Sequence, residues 1–252
     1  KIEDRLSDVL HERLTQRFVD QRTSVLVKKL KDKKLLQSTV NSQGDVIVEG
    51  HFVGQIKGFA FISDTTDSAL AGRTVSAAAY RALASEVQRR AIELINTTDP
   101  GFELNSSGKI FWLRSAERPL LAVLVSGSDN LRPRLKVVSS DLLEVPVQNK
   151  IEKRLYAWLN NYIRLHLMPL IKARDRNLTG AARGLVFQLV ENGGVLGKRQ
   201  AIGQLKALSK SDYSILRHLG VKIGRHEIFF PKLLRPRSAG LSALLWAIKN
   251  KI

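Results

Sequence analysis

The sequence predicts an α+β protein with N-terminal helices, a small mixed α+β unit, a connecting helix and a C-terminal unit of three helices and a hairpin. Three observations support this fold class. The chain has 252 residues, of which 44% are hydrophobic, enough for one large core or two modest ones. Short β-branched segments cluster around one helical segment, and the last third places short helices before two strands. We expect boundaries at 1–40, 41–145, 146–178 and 179–252.

Residues 1–40 are predicted to be helical. Ile2, Leu6, Val9, Leu10 and Leu14 recur at three- and four-residue steps, the spacing of an amphipathic helix. Lysines then crowd residues 28–34. This cluster suits either a solvated helix end, where cations favour the negative end of the dipole, or contact with phosphates.

Residues 41–145 carry the strand signals. Gly50 and the turn at 105–108 separate β-branched segments, as in hairpins. One helix is predicted over 74–95, with Thr74 as its N-cap. The predicted strands are 45–49, 51–56, 58–62, 102–104, 109–113, 120–125 and 135–138.

Residues 146–178 are predicted to connect the two folded parts through an amphipathic helix over 148–168. Ile151, Leu155 and Leu159 lie on one side of it. Trp158 is interpreted as a core residue rather than a base-stacking one. Pro169 is expected to kink or end the helix, because proline removes a backbone donor and clashes with the preceding turn. Residues 172–177 form a basic connector.

Residues 179–252 hold the most informative order of elements. Helices are predicted over 180–191, 198–208 and 212–219, the last capped by Ser209 or Ser211, followed by strands at 221–223 and 227–230 and a helix at 241–248. Three short helices before a hairpin are typical of a winged helix-turn-helix, whose third helix and wing commonly contact nucleic acid. A small helical unit that binds other proteins remains an alternative.

Charge is concentrated in the same part of the chain. The net charge is +18, and basic residues exceed acidic ones by 4 in residues 1–150 but by 14 in residues 151–252. This surplus predicts a polyanionic partner, although a merely basic surface is also possible. The candidate contacts to a nucleic-acid backbone are Lys198, Arg199, Lys206, Lys210, Arg217, Lys222 and Arg225, with Lys172, Arg174 and Arg176 in second rank. Phe229 and Phe230 are predicted to be strand core rather than stacking platforms.

No catalytic, cofactor-binding or metal-binding residue is predicted. Cysteine is absent, which excludes disulfides, thiol nucleophiles and cysteine-type zinc sites. Residues 193–199 resemble a phosphate-binding loop, but the spacing is one residue short and Arg199 replaces the required Ser or Thr. A hydrolase with a composite acidic site, using Asp64, Asp67 or Glu103, is kept as an unfavoured alternative.

The location and extent of the protein are also predicted. No apolar run approaches the roughly 20 residues that a membrane span needs, and no secretory leader is visible. We therefore expect a cytoplasmic protein without a membrane partner. Lys1 rather than Met begins the sequence, which we interpret as a piece of a longer chain.

Several segments in order carry a resemblance to a known family. They are residues 17–26 (RFVDQRTSVL), 48–54 (VEGHFVG) with Gly58 and Phe59, 131–134 (LRPR), 178–185 (LTGAARGL), 219–224 (LGVKIG) and 228–231 (IFFP). This series resembles the region downstream of the motor in alphaproteobacterial superfamily 2 helicases, which are relatives of the mitochondrial degradosome RNA helicase. It extends over most of the chain, from about Arg13 to Trp246.

The resemblance implies an ATP-dependent bacterial helicase acting on RNA or DNA. In that family, ATP and magnesium bind two motor domains, and none of their catalytic motifs has a counterpart in this sequence. The resemblance therefore implies a non-catalytic accessory region that works beside motor domains of the same chain. The alternative is a platform of the same helicase that docks an acidic protein.

Overall fold

A computed structural model describes residues 5–14, 17, 38–41, 43–48, 50–64, 69–113, 118–138, 140 and 142–252, with the backbone alone at 38, 51 and 69–82. The α+β class is confirmed. The chain divides into two compact units: unit 1 comprises Lys1–Thr97, Ser115–Pro119 and Ser139–Ile151, and unit 2 comprises Thr98–Arg114, Leu120–Val138 and Glu152–Ile252.

Unit 1 is built on an antiparallel sheet with the strand order β1-β2-β3-β4. Its strands are β1 (Ser38–Val40), β2 (Asp45–Val48), β3 (His51–Lys57) and β4 (Ala60–Ser63). Residues 5–14 form helix α1, and α2 (Ala69–Asn96) packs against the sheet. The alternation of buried and half-buried residues along β2 follows from the pleat, which turns successive side chains to opposite faces.

Two details of the N-terminal prediction are wrong. Residues Ser38–Val40 belong to a strand rather than to a helical segment ending at 40, because their backbone pairs antiparallel with β2. Thr74 is not an N-cap, because α2 already begins at Ala69, where good helix formers precede the threonine. The lysine cluster at 28–34 lies outside the described residues.

A buried arginine links α2 to the sheet of unit 1. The Arg90 side chain is 8% exposed, and its Nε donates to Oε1 of Glu86 over 2.8 Å. Its Nη1 donates to the carbonyl of Gly58 over 3.3 Å. Leu83, Val87 and Leu94 are fully buried and form the apolar side of the same helix.

Unit 2 contains a second antiparallel sheet, ordered β5-β6-β7-β8. The strands are β5 (Phe102–Leu104), β6 (Lys109–Trp112), β7 (Leu120–Val125) and β8 (Arg134–Val137). The predicted 41–145 segment is therefore shared between the two compact units. Strands β1–β4 pair only with one another, and so do β5–β8, so each group forms its own sheet with its own apolar face.

Helix α3 (Val145–Arg174) belongs to unit 2 from Glu152 onward and buries Leu155, Leu159 and Ile163 there. Trp158 is 2% exposed and confirms the core assignment. Its ring lies 5.6 Å from Phe102 and 5.4 Å from Tyr162, and its Nε1 donates to the carbonyl of Asp99 over 3.0 Å. Pro169 kinks the helix as predicted, since Leu167 leaves the helical region at φ −116° and ψ 25°.

The last segment folds as helix, strand, two helices and two strands. The elements are α4 (Gly180–Glu191), β9 (Val195–Gly197), α5 (Ile202–Ala207), α6 (Lys210–His218), β10 (Lys222–Ile223) and β11 (Glu227–Phe229), with α7 (Pro236–Asn250) after a short 3-10 helix. Strands β9 and β10 both pair with β11, which is central in a three-stranded sheet. The predicted helix over 198–208 is too long, because a turn occupies residues 198–201 and α5 begins only at Ile202.

Two glycines after α4 make this connection possible. Gly193 and Gly194 have φ values of +65° and +90°, which non-glycine residues rarely adopt. Their amides donate to the carbonyls of Val190 and Leu189 over 3.1 and 2.7 Å and so close the end of the helix. Strand β9 begins directly afterwards at Val195.

Candidate nucleic-acid interface

Three predicted cations lie at one end of the three-stranded sheet. Gly197 in β9 pairs with Glu227 in β11, so the residues after β9 lie beside the turn that joins β10 to β11. The Lys198 amide donates to the carbonyl of His226 over 2.8 Å, and Lys198 Nζ donates to the carbonyl of Gly224 over 3.3 Å. Lys198 therefore supports the turn whose tip is Arg225. Arg199 is exposed next to it.

Helix α6 presents a polar face to solvent. Lys210, Tyr213, Ser214 and Arg217 stand at positions i, i+3, i+4 and i+7, which lie on one side of an α-helix. All four are exposed, and the Tyr213 side chain is 43% exposed. The opposite side is anchored by Leu216, which is 1% exposed. This is the arrangement a helix needs to offer several hydrogen-bond donors to a polyanion.

The N-terminus of α6 is fixed by a capping box. Ser209 Oγ accepts from the Asp212 amide over 3.2 Å, and the Ser209 amide donates to Oδ2 of Asp212 over 2.9 Å. Hydrogen bonds from the Ser209 amide and hydroxyl lower the pKa of Asp212. This confirms the predicted cap at Ser209 and gives the only carboxylate of α6 a local partner.

The remaining candidates are less closely grouped. Lys206 is exposed in the last turn of α5, and Tyr213 Oη ties α6 to that helix by donating to the carbonyl of Leu205 over 3.3 Å. Lys222 is exposed on β10, the edge strand of the sheet. Lys172 and Arg176 are exposed at the end of α3 and after it.

Arg174 differs from the other candidates because it is held by acids. Its Nε donates to Oδ1 of Asp175 over 2.9 Å, and its Nη1 lies 3.7 Å from Oδ1 of Asp129. Within the described ranges, none of the other nine candidates forms an ion pair. Exposed and unpaired cations stay available to phosphates, whereas Arg174 would first have to leave its carboxylates.

Phe230, directly after β11, is a core residue as predicted, whereas Phe229, predicted to be core as well, is not fully buried. The Phe230 side chain is 1% exposed, and Phe229 is half-buried in β11. The sequence interpretation missed the exposed donors Tyr213, Ser214 and His226. A projection of the predicted third helix would have found the first two, since they share the spacing of Lys210 and Arg217.

The part of the chain that the structure describes contains no group of three or more His, Asp or Glu side chains that could hold a metal ion. Asp67, one residue of the acidic alternative, lies outside it. In the same part, no helix combines the length and the apolar character that crossing a membrane requires.

No protein-family model, curated protein or solved structure matches this chain. The resemblance to helicases therefore stays a prediction.

Proposed function

We propose that this chain is a non-catalytic accessory region of an ATP-dependent RNA or DNA helicase, and that its C-terminal segment binds the backbone of the nucleic acid. The family part of the proposal depends on the ordered sequence segments described above. The binding part depends on one observation: exposed cations that form no ion pair among the residues the structure describes line α5, α6 and the β10–β11 turn of one compact unit.

The order of elements supports a winged-helix interpretation. Three helices, α4, α5 and α6, precede the β10–β11 hairpin, which is the order expected from the sequence, and β9 joins the hairpin as a third strand with β11 at the centre of the sheet. In this proposal α6 is the helix that approaches the nucleic acid, and Arg225 at the β10–β11 turn is the tip of the wing. Lysine and arginine side chains bind phosphates without reading bases, so the module adds grip without sequence choice.

The physical contribution of the module is electrostatic. Each neutralised phosphate releases condensed counterions, which gives affinity that falls steeply with salt. A helicase motor that cycles its grip on a strand would keep its substrate through this second contact. ATP and magnesium would bind the motor domains of the same cytoplasmic chain rather than these residues.

The test is equilibrium binding of the chain to a fluorescent single strand and to a blunt duplex over a salt series. With about five phosphates contacted, the slope of log affinity against log salt should be near −3.5 for a single strand and −4.5 for a duplex. Binding that is insensitive to salt, or no binding at low ionic strength, would refute the proposal.

A second candidate is docking of an acidic protein on unit 2. It is favoured by the exposed apolar residues Leu234 and Trp246, which are 59% and 36% exposed and border one groove of unit 2. A partner that binds equally well after nuclease treatment, combined with weak binding to both nucleic acids, would favour this candidate.

A further inference from the structure

Unit 2 contains a cleft of about 470 Å³ beside α4, and none of the candidate cations on α5, α6 and the β10–β11 turn lines it. The end of α3, the segment after it and one side of α4 line this cleft. Its apolar lining includes Ala173, Val186 and Val190, which are at most 4% exposed. Arg176, Arg183 and Phe187 also line it, and they are exposed. The cleft thus combines apolar walls, an aromatic ring and cations.

Phe187 stands apart from the other large apolar residues of α4. Leu185, Val186, Leu189 and Val190 are at most 4% exposed, whereas Phe187 is 65% exposed. A single exposed apolar side chain is ordinary on a protein surface. This one, however, borders a cleft together with arginines, and an accessible ring face next to cations is what a nucleotide base and its phosphate require.

Along α4, the cleft has a positive charge at one end and a negative charge at the other. Arg183 precedes Phe187 by one helical turn, which places their Cβ atoms about 6 Å apart on the helix surface. Glu191 follows Phe187 by one further turn, so its backbone lies about 12 Å along the helix from that of Arg183. Asp129, at the wall, already has Arg174 beside it at 3.7 Å. Positive charge therefore dominates the Arg183 end.

Arg183 and Arg176 are available to an anion. Both are exposed, and neither has an ion pair within the residues that the structure describes. Arginine is well suited to phosphate, because its planar guanidinium can donate two parallel hydrogen bonds to phosphate oxygens.

We propose that this cleft holds one unpaired nucleotide of a nucleic-acid strand, with its base stacked on Phe187 and its phosphate bound by Arg183 and Arg176. The inference rests on the proposed function and deepens it. A base inside a duplex cannot reach the ring, so the cleft selects single strands, while the stacking accepts any base. This site would let the accessory region hold the separated strand and not only the duplex ahead of it.

The experiment compares the affinity of the wild-type chain, Phe187→Leu and Phe187→Tyr for a ten-nucleotide single strand and for a blunt duplex. Leu165→Ala is the matched control, because Leu165 is an equally apolar side chain, 75% exposed, on α3 and outside the cleft. We expect Phe187→Leu to weaken single-strand binding about five-fold or more, since stacking on one aromatic ring contributes roughly 1–3 kcal/mol. Phe187→Tyr, Leu165→Ala and all duplex affinities should stay within two-fold of wild type.

A second measurement needs no substitution. A strand carrying 4-thiouridine is crosslinked to the wild-type chain by light and the product is digested with trypsin. We expect the crosslink in the peptide 184–198, which follows Arg183 and contains Phe187.

The outcomes separate this inference from the proposed function. If the wild-type chain binds strands and duplexes but Phe187→Leu has no effect, or the effect is equal on both, the cleft proposal is overturned while backbone binding stands. Crosslinks found only outside the peptide 184–198 also overturn it. Absence of all binding overturns both proposals. A titration with free AMP that gives an affinity as high as that of the strand would assign the cleft to a free nucleotide and overturn the strand assignment.

Discussion

Neutralising the exposed face of α6 tests the proposed interface most directly. The double variant Lys210→Gln with Arg217→Gln removes two positive charges and leaves Leu216, which is 1% exposed and anchors the helix, in place. The capping box between Ser209 and Asp212 is also retained. Any change in binding should therefore come from the lost phosphate contacts rather than from loss of the helix.

The expected magnitude follows from the number of phosphates. Each neutralised phosphate contributes about 0.7 to the salt slope on a single strand and about 0.9 on a duplex, so two cations contribute about 1.4 and 1.8. A fourfold rise in salt should weaken single-strand binding of the wild-type chain about 100-fold, but that of the variant only about 20-fold. The affinity loss should be the same for all base sequences, because phosphates carry no sequence information.

The assay is fluorescence anisotropy over a salt series, with circular dichroism to compare the fold of each variant. Lys153→Gln with Arg164→Gln is the matched control, because it removes the same charge from exposed residues of α3. An unchanged slope in the α6 variant, or equal slope changes in both double variants, would refute the interface and leave only a general effect of net charge.

Three further predictions concern stability and local electrostatics. Burial raises the pKa of Glu86, but hydrogen bonds and positive charge from Arg89 and Arg90 outweigh it and lower the pKa overall. Glu86→Gln should therefore destabilise unit 1 by about 3 kcal/mol at pH 7, because it leaves the buried Arg90 unpaired. The difference in the free energy of unfolding between the wild type and Glu86→Gln, measured by urea unfolding, should shrink as the pH falls through the lowered pKa of Glu86. A difference that does not depend on pH would contradict the pairing of Glu86 with Arg90. Ser209→Ala should lower the free energy of unfolding by about 1 kcal/mol, because the variant loses the N-cap of α6. The midpoint of thermal unfolding is compared with that of the control Ser211→Ala, and an equal decrease in both variants would argue against the cap. Burial, followed by the positive charge of Arg237, lowers the pKa of His166, so stability should fall as the pH drops below the ordinary imidazole pKa. Arg237→Gln should raise that pKa in an NMR titration, and an unchanged value would show that burial alone acts.

The sequence predicted local elements well where the pattern was strong and the turn chemistry explicit. Strand β7 (Leu120–Val125), α4 with its glycine end and the cap at Ser209 were all placed correctly. Periodicity and turn residues act within a few positions along the chain, so they can be read without the fold. The prediction was wrong at Thr74 and at 198–201, where the neighbouring residues tolerate either helix or turn.

The candidate interface was predictable as a set of cations but not as a surface. Counting charge located the surplus in residues 151–252. It could not distinguish Arg174, which faces Asp129 and Asp175, from the exposed Arg217. Nor could it show that Lys198 supports a turn through the carbonyl of Gly224. Such partners are distant along the chain or depend on side-chain direction, and neither is contained in composition.

The sequence by itself determined the α+β class, most strand and helix positions, the absence of cysteine chemistry and the concentration of positive charge near the C-terminus. Tertiary structure alone decided that the strands form two separate four-stranded sheets, that β9 completes a third sheet, and that Phe187 borders a cleft beside arginines. The physical reason is that local propensity depends on neighbouring residues. Pairing of strands, burial of a side chain and the meeting of charges depend on long-range contacts that form only in the folded chain.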